Sequence, residues 1–350
     1  VVLLTAYQTE FGQNKALFEA YKAIAESDEF SSLSTAQQKS LNNALRDFNL
    51  AGVALEDKKK QRFAEIKERL STLSTQFSNN VLDATQAWYK HIPEAEQATL
   101  AGLPDTALAQ AAQNARVKSL SGFVVTLDIP SYLSVMTYAD SRELREELYR
   151  AYVSRASTAA LVLADSQHTS ESLDNTALID EILSLRHELS ELLGFDNYAE
   201  LSLATKMADS TDEVVTFLEA LAEKSLPVAQ KEYAELLAFS REKASIDSLE
   251  AWDIPYFSEK LKQAQYAVSQ EELRSYFPAS TVVEGMFEVV NRLFGIDIER
   301  DENVETWHDD AQFFRVSRNG QAIAGFYLDL YAREKKRGGA WMDDCVGRKK

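Results

Sequence analysis

The sequence predicts a mainly α-helical protein with a small β-hairpin near its C-terminal end. Three observations predict it. Glycine (12) and proline (6) are scarce in 350 residues, which leaves few of the tight turns that an all-β fold needs. Long stretches repeat apolar residues every three or four positions, the period of a helix with one buried face. From about residue 307 the period changes, and alternating residues flank an Asn-Gly pair.

Residues 5 to 27 read as one helix, with Phe11, Leu17, Tyr21 and Ile24 on one face. Ser34 stands three residues before Gln37, the spacing at which each side chain satisfies the other's free backbone N–H. This capping box starts a helix that runs to about Leu50, with Leu41, Leu45 and Phe48 as its stripe. Gly52 punctuates. Residues 56 to 88 carry the longest pattern: Phe63, Ile66, Leu70, Leu73, Phe77 and Val81 step by three or four. Lys58-Lys59-Lys60 reads as the solvated first turn of that helix rather than a nucleic-acid patch. Pro93 to Pro104 is a turn region, and an alanine-rich helix follows over residues 105 to 116.

The β-branched run from Gly122 to Ile129 reads as a strand. Asp140-Ser141 caps a helix over 142 to 156, and residues 157 to 173 read as an exposed loop joined to a short helix. Residues 175 to 193 are helical, with Leu178, Ile182, Leu185, Leu189 and Leu192 in one stripe. Helices at about 211 to 244, 257 to 267 and 281 to 293 follow. In the hairpin, Asn319-Gly320 supplies the two positive φ angles of a type I′ turn. Phe326, Leu328 and Leu330 form its apolar face, and Tyr327, Asp329 and Tyr331 the more polar one.

Composition narrows the partners. The net charge of −18 disfavours nucleic acid and anionic membranes, both of which call for a basic surface. No apolar run reaches the ~18 residues of a membrane span, and no basic-then-apolar leader opens the chain. The single cysteine, Cys345, allows no intrachain disulfide and fits a reducing compartment. Val1-Val2-Leu3-Leu4 enters a helical pattern without an initiator Met, and Arg348-Lys349-Lys350 follows a structured-looking stretch. Both ends read as cuts inside a longer protein.

Few residues point to chemistry. The four histidines, His91, His168, His187 and His308, are dispersed. Arg186-His187-Glu188 opens like His-Glu-x-x-His, but Glu191 stands where the second His belongs. At ~100° per residue His187 falls about 180° from the leucine stripe, so it faces solvent or a polar contact. Trp307-His308-Asp309-Asp310 reads as a turn before a strand rather than a ligand cluster. Gly338-Gly339 lacks the context of a dinucleotide loop, and Cys345 has no adjacent base. Arg337-Gly338-Gly339-Ala340-Trp341 admits two readings. One is a tight turn after the hairpin. The other is an extended segment whose bare backbone accepts a second chain edge-on, so that a peptide binds through its main chain.

Several runs resemble the thimet-oligopeptidase family of zinc metallopeptidases. The longest are Leu183-Ser-Leu-Arg-His-Glu-Leu-Ser-Glu-Leu-Leu-Gly-Phe-Asp-Asn-Tyr-Ala-Glu-Leu-Ser-Leu-Ala-Thr-Lys-Met-Ala208 and Gly325-Phe-Tyr-Leu-Asp-Leu-Tyr-Ala-Arg-Glu-Lys-Lys-Arg-Gly-Gly-Ala-Trp-Met-Asp-Asp-Cys345. Shorter ones are Ala44 to Phe48, Phe77 to Thr85, Leu127 to Tyr132 and Trp252 to Tyr256, so the resemblance runs through essentially the whole chain. It implies long helices forming one side of a two-lobed channel. It also implies hydrolysis of short peptides by one zinc held by His-Glu-x-x-His and a downstream Glu. None of those ligands occurs here: zinc is implied for the full-length protein and none is expected in this chain, which is expected to be inactive alone. The resemblance divides the chain into an N-terminal helical region, 1–120, and an N-terminal part of the peptidase domain, 121–350. It carries over one candidate substrate-binding segment, Gly338, Gly339, Ala340 and Trp341. The rival reading is a non-enzymatic helical scaffold or peptide-binding module.

Overall fold

The computed structural model describes residues 2–159, 173–267, 269–333 and 335–339. Among these the fold is mainly α, with two small antiparallel sheets, the larger near the C-terminal end. The chain forms two compact units: Val1–Ala84 with Ser154–Tyr233, and Thr85–Val153 with Ala234–Lys350.

The first unit opens with α1 (Val2–Gly12), α2 (Lys15–Ala25) and α3 (Thr35–Leu50). The single helix expected over residues 5 to 27 is broken. Asn14 adopts extended backbone and its side chain accepts a hydrogen bond from Leu17 N, so a new N-terminus starts in mid-pattern. Apolar spacing survives such a break, which is why the pattern hid it. The Ser34/Gln37 capping box forms as read. Phe48 is buried, with the rings of Phe11, Phe18 and Tyr21 at 6.2, 6.0 and 5.8 Å.

The longest pattern is α4 (Asp57–Ala87), and the 175-to-193 pattern is α8 (Thr176–Leu192). Phe63, Ile66 and Leu73 meet Leu185 and Leu189 in one core, with Leu70, Leu178, Ile182 and Leu192 packed around it. Two forked ion pairs flank that core. Arg62 grips Glu188 at 2.6 and 2.8 Å, and Arg69 grips Glu181 at 2.5 and 2.7 Å. The partners lie seven residues apart on each helix and in opposite order, so the helices run antiparallel. Asn80 Nδ2 donates to Asn175 Oδ1 (2.9 Å), and Asn175 Nδ2 donates to Phe77 O (3.1 Å). Both asparagines are buried, and these bonds satisfy the Asn80 NH2 group and both ends of the Asn175 amide. Ile66 is fully enclosed, so Ile66→Ala is expected to cost about 2–5 kcal/mol in urea unfolding. Arg69→Ala, at an exposed pair, is expected to leave the urea midpoint nearly unchanged. This unit also contains α9 (Tyr198–Leu203), which the sequence pattern did not disclose because it is barely two turns long.

In the second unit, β1 (Tyr89–Ile92) pairs antiparallel with β2 (Phe123–Thr126), Tyr89 opposite Thr126 and Ile92 opposite Phe123. Strand β1 falls between the long helical pattern and Pro93, where the sequence suggested no element; it forms against β2, which supplies a ladder from about thirty residues away. α5 (Asp105–Val117) buries Ala107, Ala111 and Ala115, small side chains that let it lie close to β2. The expected strand from 122 to 129 is shorter than read. At Ile129 it yields to α6 (Ile129–Tyr138), whose Pro130 lies in the first helical turn, where a missing N–H costs nothing. α7 (Arg142–Val153) is capped by Ser141, whose Oγ accepts from Leu144 N. The neighbouring Asp140 instead accepts from the Tyr256 hydroxyl at 2.8 Å. Most of the 157-to-173 expectation falls outside the described residues.

α10 (Thr211–Ala244) has residues in both units. α11 (Ile254–Tyr266) packs Phe257 against Leu236 and Leu249, and a single turn, α12 (Gln270–Arg274), precedes α13 (Ala279–Phe294). Between α7 and α11 lies a buried ionic cluster. Asp253, with no exposed side-chain surface, accepts from Arg145 Nη2 (3.0 Å), Arg142 Nη2 (2.6 Å) and Glu250 N (3.0 Å). Arg145, 1% exposed, also donates to Trp252 O (3.1 Å) and Ala139 O (2.7 Å), and its guanidinium lies 4.1 Å over the Tyr256 ring. Burial pushes the Asp253 carboxyl up, and the hydrogen bonds from Arg142, Glu250 N and Arg145 more than reverse this, leaving it below its usual value. Burial and the bond to Asp140 push the Tyr256 hydroxyl up to about 12.

The larger sheet has the order β3 (Asp297–Arg300), β4 (Gln312–Arg318), β5 (Gln321–Leu328), all antiparallel. The Asn-Gly turn forms as read, with φ of +52° at Asn319 and +76° at Gly320. Strand β3 was not read from sequence; its four residues form a strand only against β4. On one face Phe287 of α13 meets Phe314 and Phe326 at 5.0 and 6.1 Å. On the other Phe313 lies across Gly325, where a Cβ would come within 2.4 Å of the ring. The apolar alternation stops early: β5 ends at Leu328, and Leu330 is half exposed.

Candidate functional site

The candidate segment follows β5, the last strand of its sheet. Among the described residues no strand lies beyond its outer edge. Past Leu328 one carboxylate gathers several donors. Asp329 accepts a forked pair of bonds from Arg333, at 2.7 Å to Oδ1 and 2.8 Å to Oδ2. Trp307 Nε1 donates to the same Oδ2 at 3.1 Å, and Lys336 Nζ stands 3.0 Å from Oδ1. Lys336 also donates to the backbone oxygens of Asp329 and Tyr331, both at 2.7 Å. The Asp329 side chain is only 14% exposed. The Arg333 guanidinium holds its carboxyl well below the usual carboxylate range; partial burial opposes this, and Lys336 and Trp307 add to it. The Arg333 guanidinium is raised in turn by its bond to Asp329.

Aromatic packing fixes the other side of this clasp. The Trp307 ring lies 4.9 Å from Tyr327, and Tyr327 lies 4.8 Å from Phe313. The Tyr327 hydroxyl donates to Glu305 O at 3.2 Å. The turn before β4 and the end of β5 therefore carry the clasp together.

Beyond it the backbone comes into the open. Gly338 and Gly339 are exposed, and no atom lies within 4 Å of where a Cβ would stand on either. Gly339 has φ of +99°, a bend that other residues adopt only under strain. Among the described residues, the space on the Cβ side of both glycines is therefore open. Ala340 and Trp341, the other two residues of the candidate segment, lie outside the described residues, as do His168 and Cys345.

The clasp was not read from sequence. Asp329 counted as one member of a polar strand face, and Trp307 as part of a turn. The available signal was the spacing of Asp329 and Arg333, four residues apart and opposite in charge. The turn at Trp307 to Asp310 forms as expected, with His308 Nδ1 accepting from Asp310 N at 3.1 Å. His187 is exposed and 3.5 Å from Glu191, the polar contact its position on the helix predicts, while Glu188 is taken by Arg62. Among the described residues no three His, Cys, Asp or Glu side chains are grouped so as to hold a metal ion, and the sequence contains no His-Glu-x-x-His. The described residues therefore do not fit a catalytic zinc. No helix of the described residues is long and apolar enough to cross a membrane.

Two family models match this helical chain. Residues 135–350 match peptidase family M3, and residues 3–60 match the N-terminal domain of neurolysin and thimet oligopeptidase. The chain belongs to peptidase family M3, as the resemblance implied. Within it, the chain is 50% identical to oligopeptidase A of Escherichia coli over 346 residues, which cover 99% of this chain and 50% of that protein. It is likewise 50% identical to oligopeptidase A of Haemophilus influenzae over 349 residues, again 99% of this chain and 50% of the relative. A probable cytosolic oligopeptidase A of Arabidopsis thaliana is 41% identical over 354 residues, 98% of this chain and 48% of the relative. The chain spans about half the length of the curated relatives it matches.

Proposed function

We propose that this chain is part of a cytoplasmic, zinc-dependent metallo-oligopeptidase that hydrolyses short peptides. The observation that carries the reading is 50% identity to oligopeptidase A along 99% of the chain. In this reading residues 1–120 are an N-terminal helical region, and 121–350 are the first part of the peptidase domain. The zinc ligands belong to polypeptide outside these 350 residues, so the chain alone binds no catalytic zinc. Its partners are short peptides, with neither nucleic acid nor membrane among them.

Within that enzyme the chain's own contribution is substrate alignment. Gly338, Gly339, Ala340 and Trp341 pair with the backbone of a peptide through N–H and C=O groups, which recognises peptides with little regard to sequence. The Asp329 clasp supports this reading, because a segment ordered before the peptide arrives spends less binding energy on being ordered.

Two assays with a quenched fluorescent peptide test the proposal. The purified 350-residue chain with one equivalent of zinc is expected to cleave no faster than buffer, and zinc-dependent cleavage would overturn the assignment of the ligands elsewhere. The same chain joined to the portion of E. coli oligopeptidase A that it does not match is expected to cleave the peptide and to stop when zinc is chelated. A folded chimera that binds the peptide without cleaving it would support the scaffold reading instead.

A further inference from the structure

Helix α13 carries two apolar stripes, and the structure covers one of them. Val283, Phe287 and Val290 lie on the sheet side, where Phe287 packs on Phe314 and Phe326. Val282, Met286, Val289 and Leu293 form the second stripe, about a quarter-turn away at ~100° per residue. They step by four, three and four, the spacing with which one helix seats another. Their exposures are 48%, 48%, 56% and 69%. Leu273, Tyr276 and Phe277 just before the helix, and Phe294 at its end, are exposed as well. Single exposed apolar residues are ordinary on a protein surface, but a continuous helical stripe of them marks a contact face.

We infer that the Val282/Met286/Val289/Leu293 stripe of α13 is the seat of a helix from the polypeptide that the relatives carry and this chain does not match. The inference rests on the reading of the chain as part of a longer peptidase. Two observations select this occupant. The oligopeptidase A relatives are matched along half their length only, so as much polypeptide again is available to cover the stripe. A second copy of this chain would bring its own charge of −18 against the first, which opposes self-association through an otherwise suitable face.

Cysteine labelling reads the face directly. Met286→Cys, in a Cys345→Ser background, is expected to react with a maleimide at least about ten-fold more slowly in the chimera with the E. coli portion than in the 350-residue chain, because helix packing excludes the reagent. Val289→Glu with Leu293→Glu is expected to leave the melting temperature of the 350-residue chain unchanged and to lower that of the chimera by about 5 °C or more. A cysteine at the position aligned with Met286 in intact E. coli oligopeptidase A supplies the same measurement without a chimera. Equal labelling in the short and long proteins would overturn the inference. So would protection already present in the 350-residue chain accompanied by sedimentation as a dimer, which would assign the face to a second copy. Protection without zinc-dependent cleavage would sink the proposed function and leave this inference standing. Cleavage by a Met286→Cys chimera whose introduced thiol labels freely would do the reverse.

Discussion

Replacing Asp253 with alanine is expected to lower the stability of the second unit by about 3–5 kcal/mol, the usual cost of stranding a buried charge. Arg145 is the group left stranded. It is 1% exposed and keeps two backbone acceptors, Trp252 O and Ala139 O, but loses its counter-ion. Asp253→Asn keeps the volume and still removes the charge, so it is expected to cost nearly as much. Arg142→Ala removes the partner whose side chain is 40% exposed, leaves the Arg145–Asp253 pair intact, and is expected to cost distinctly less. Urea unfolding followed by fluorescence checks this order, since Trp252 adjoins the cluster. The pH dependence has a definite sign. The folded carboxyl sits below its unfolded value of about 3.9, so its stabilisation is complete above that pH and is lost as pH falls through the folded value. Wild type should therefore lose stability more steeply in acid than Asp253→Asn, which has no such proton to take up. Parallel acid limbs for the two proteins would contradict this account.

The second large effect is expected at Asp329. Asp329→Ala removes the common acceptor of Arg333, Lys336 and Trp307, and leaves Lys336 only its backbone acceptors, the oxygens of Asp329 and Tyr331. Hydrogen bonds to an ionised group are the stronger kind, so losing several at once should raise the open population of residues 329 to 339 by about ten-fold or more. Trypsin reads this conveniently, because Arg333, Lys335, Lys336 and Arg337 are all cleavage points within the segment. Under native conditions nicking there should accelerate by that factor in the variant. The overall unfolding midpoint should move little, because the clasp ties down a segment at the end of the sheet rather than the core. In wild type the clasp should persist as pH falls through the usual carboxylate range, because the Asp329 carboxyl is held well below that range and stays ionised. An unchanged nicking rate in Asp329→Ala would show that the segment is held by something other than the carboxylate.

What the sequence disclosed and what it hid divide along physical lines. The stripe of α4, the Ser34/Gln37 box and the Asn319-Gly320 turn are local: each is decided by residues within one or two turns of each other, and each formed as read. Strands β1 and β3 are four residues long and exist through pairing with distant partners, so no local pattern announces them. The break at Asn14 is an exception, a local event masked by an apolar period that continued across it. At the candidate site the bare backbone of Gly338-Gly339 was visible, and the resemblance supplied its reason. The clasp was not visible, because Trp307 reaches Asp329 across 22 residues and a carboxylate on a strand is ordinarily a solvated one.

The bond between Arg145 and Asp253 spans 108 residues of chain. During synthesis, at about 5–20 residues per second, the ribosome takes roughly 5–20 s to deliver the second partner after the first. Throughout that interval the nascent segment from Thr85 to Val153 holds a cation whose folded position is dry and whose counter-ion does not yet exist. Burying Arg145 then would cost several kcal/mol, offset only by the backbone oxygens of Ala139 and Asp140, so closure of the α7 face is favoured only once Asp253 emerges. The pair thus couples the closing of the α7 face to the arrival of α11.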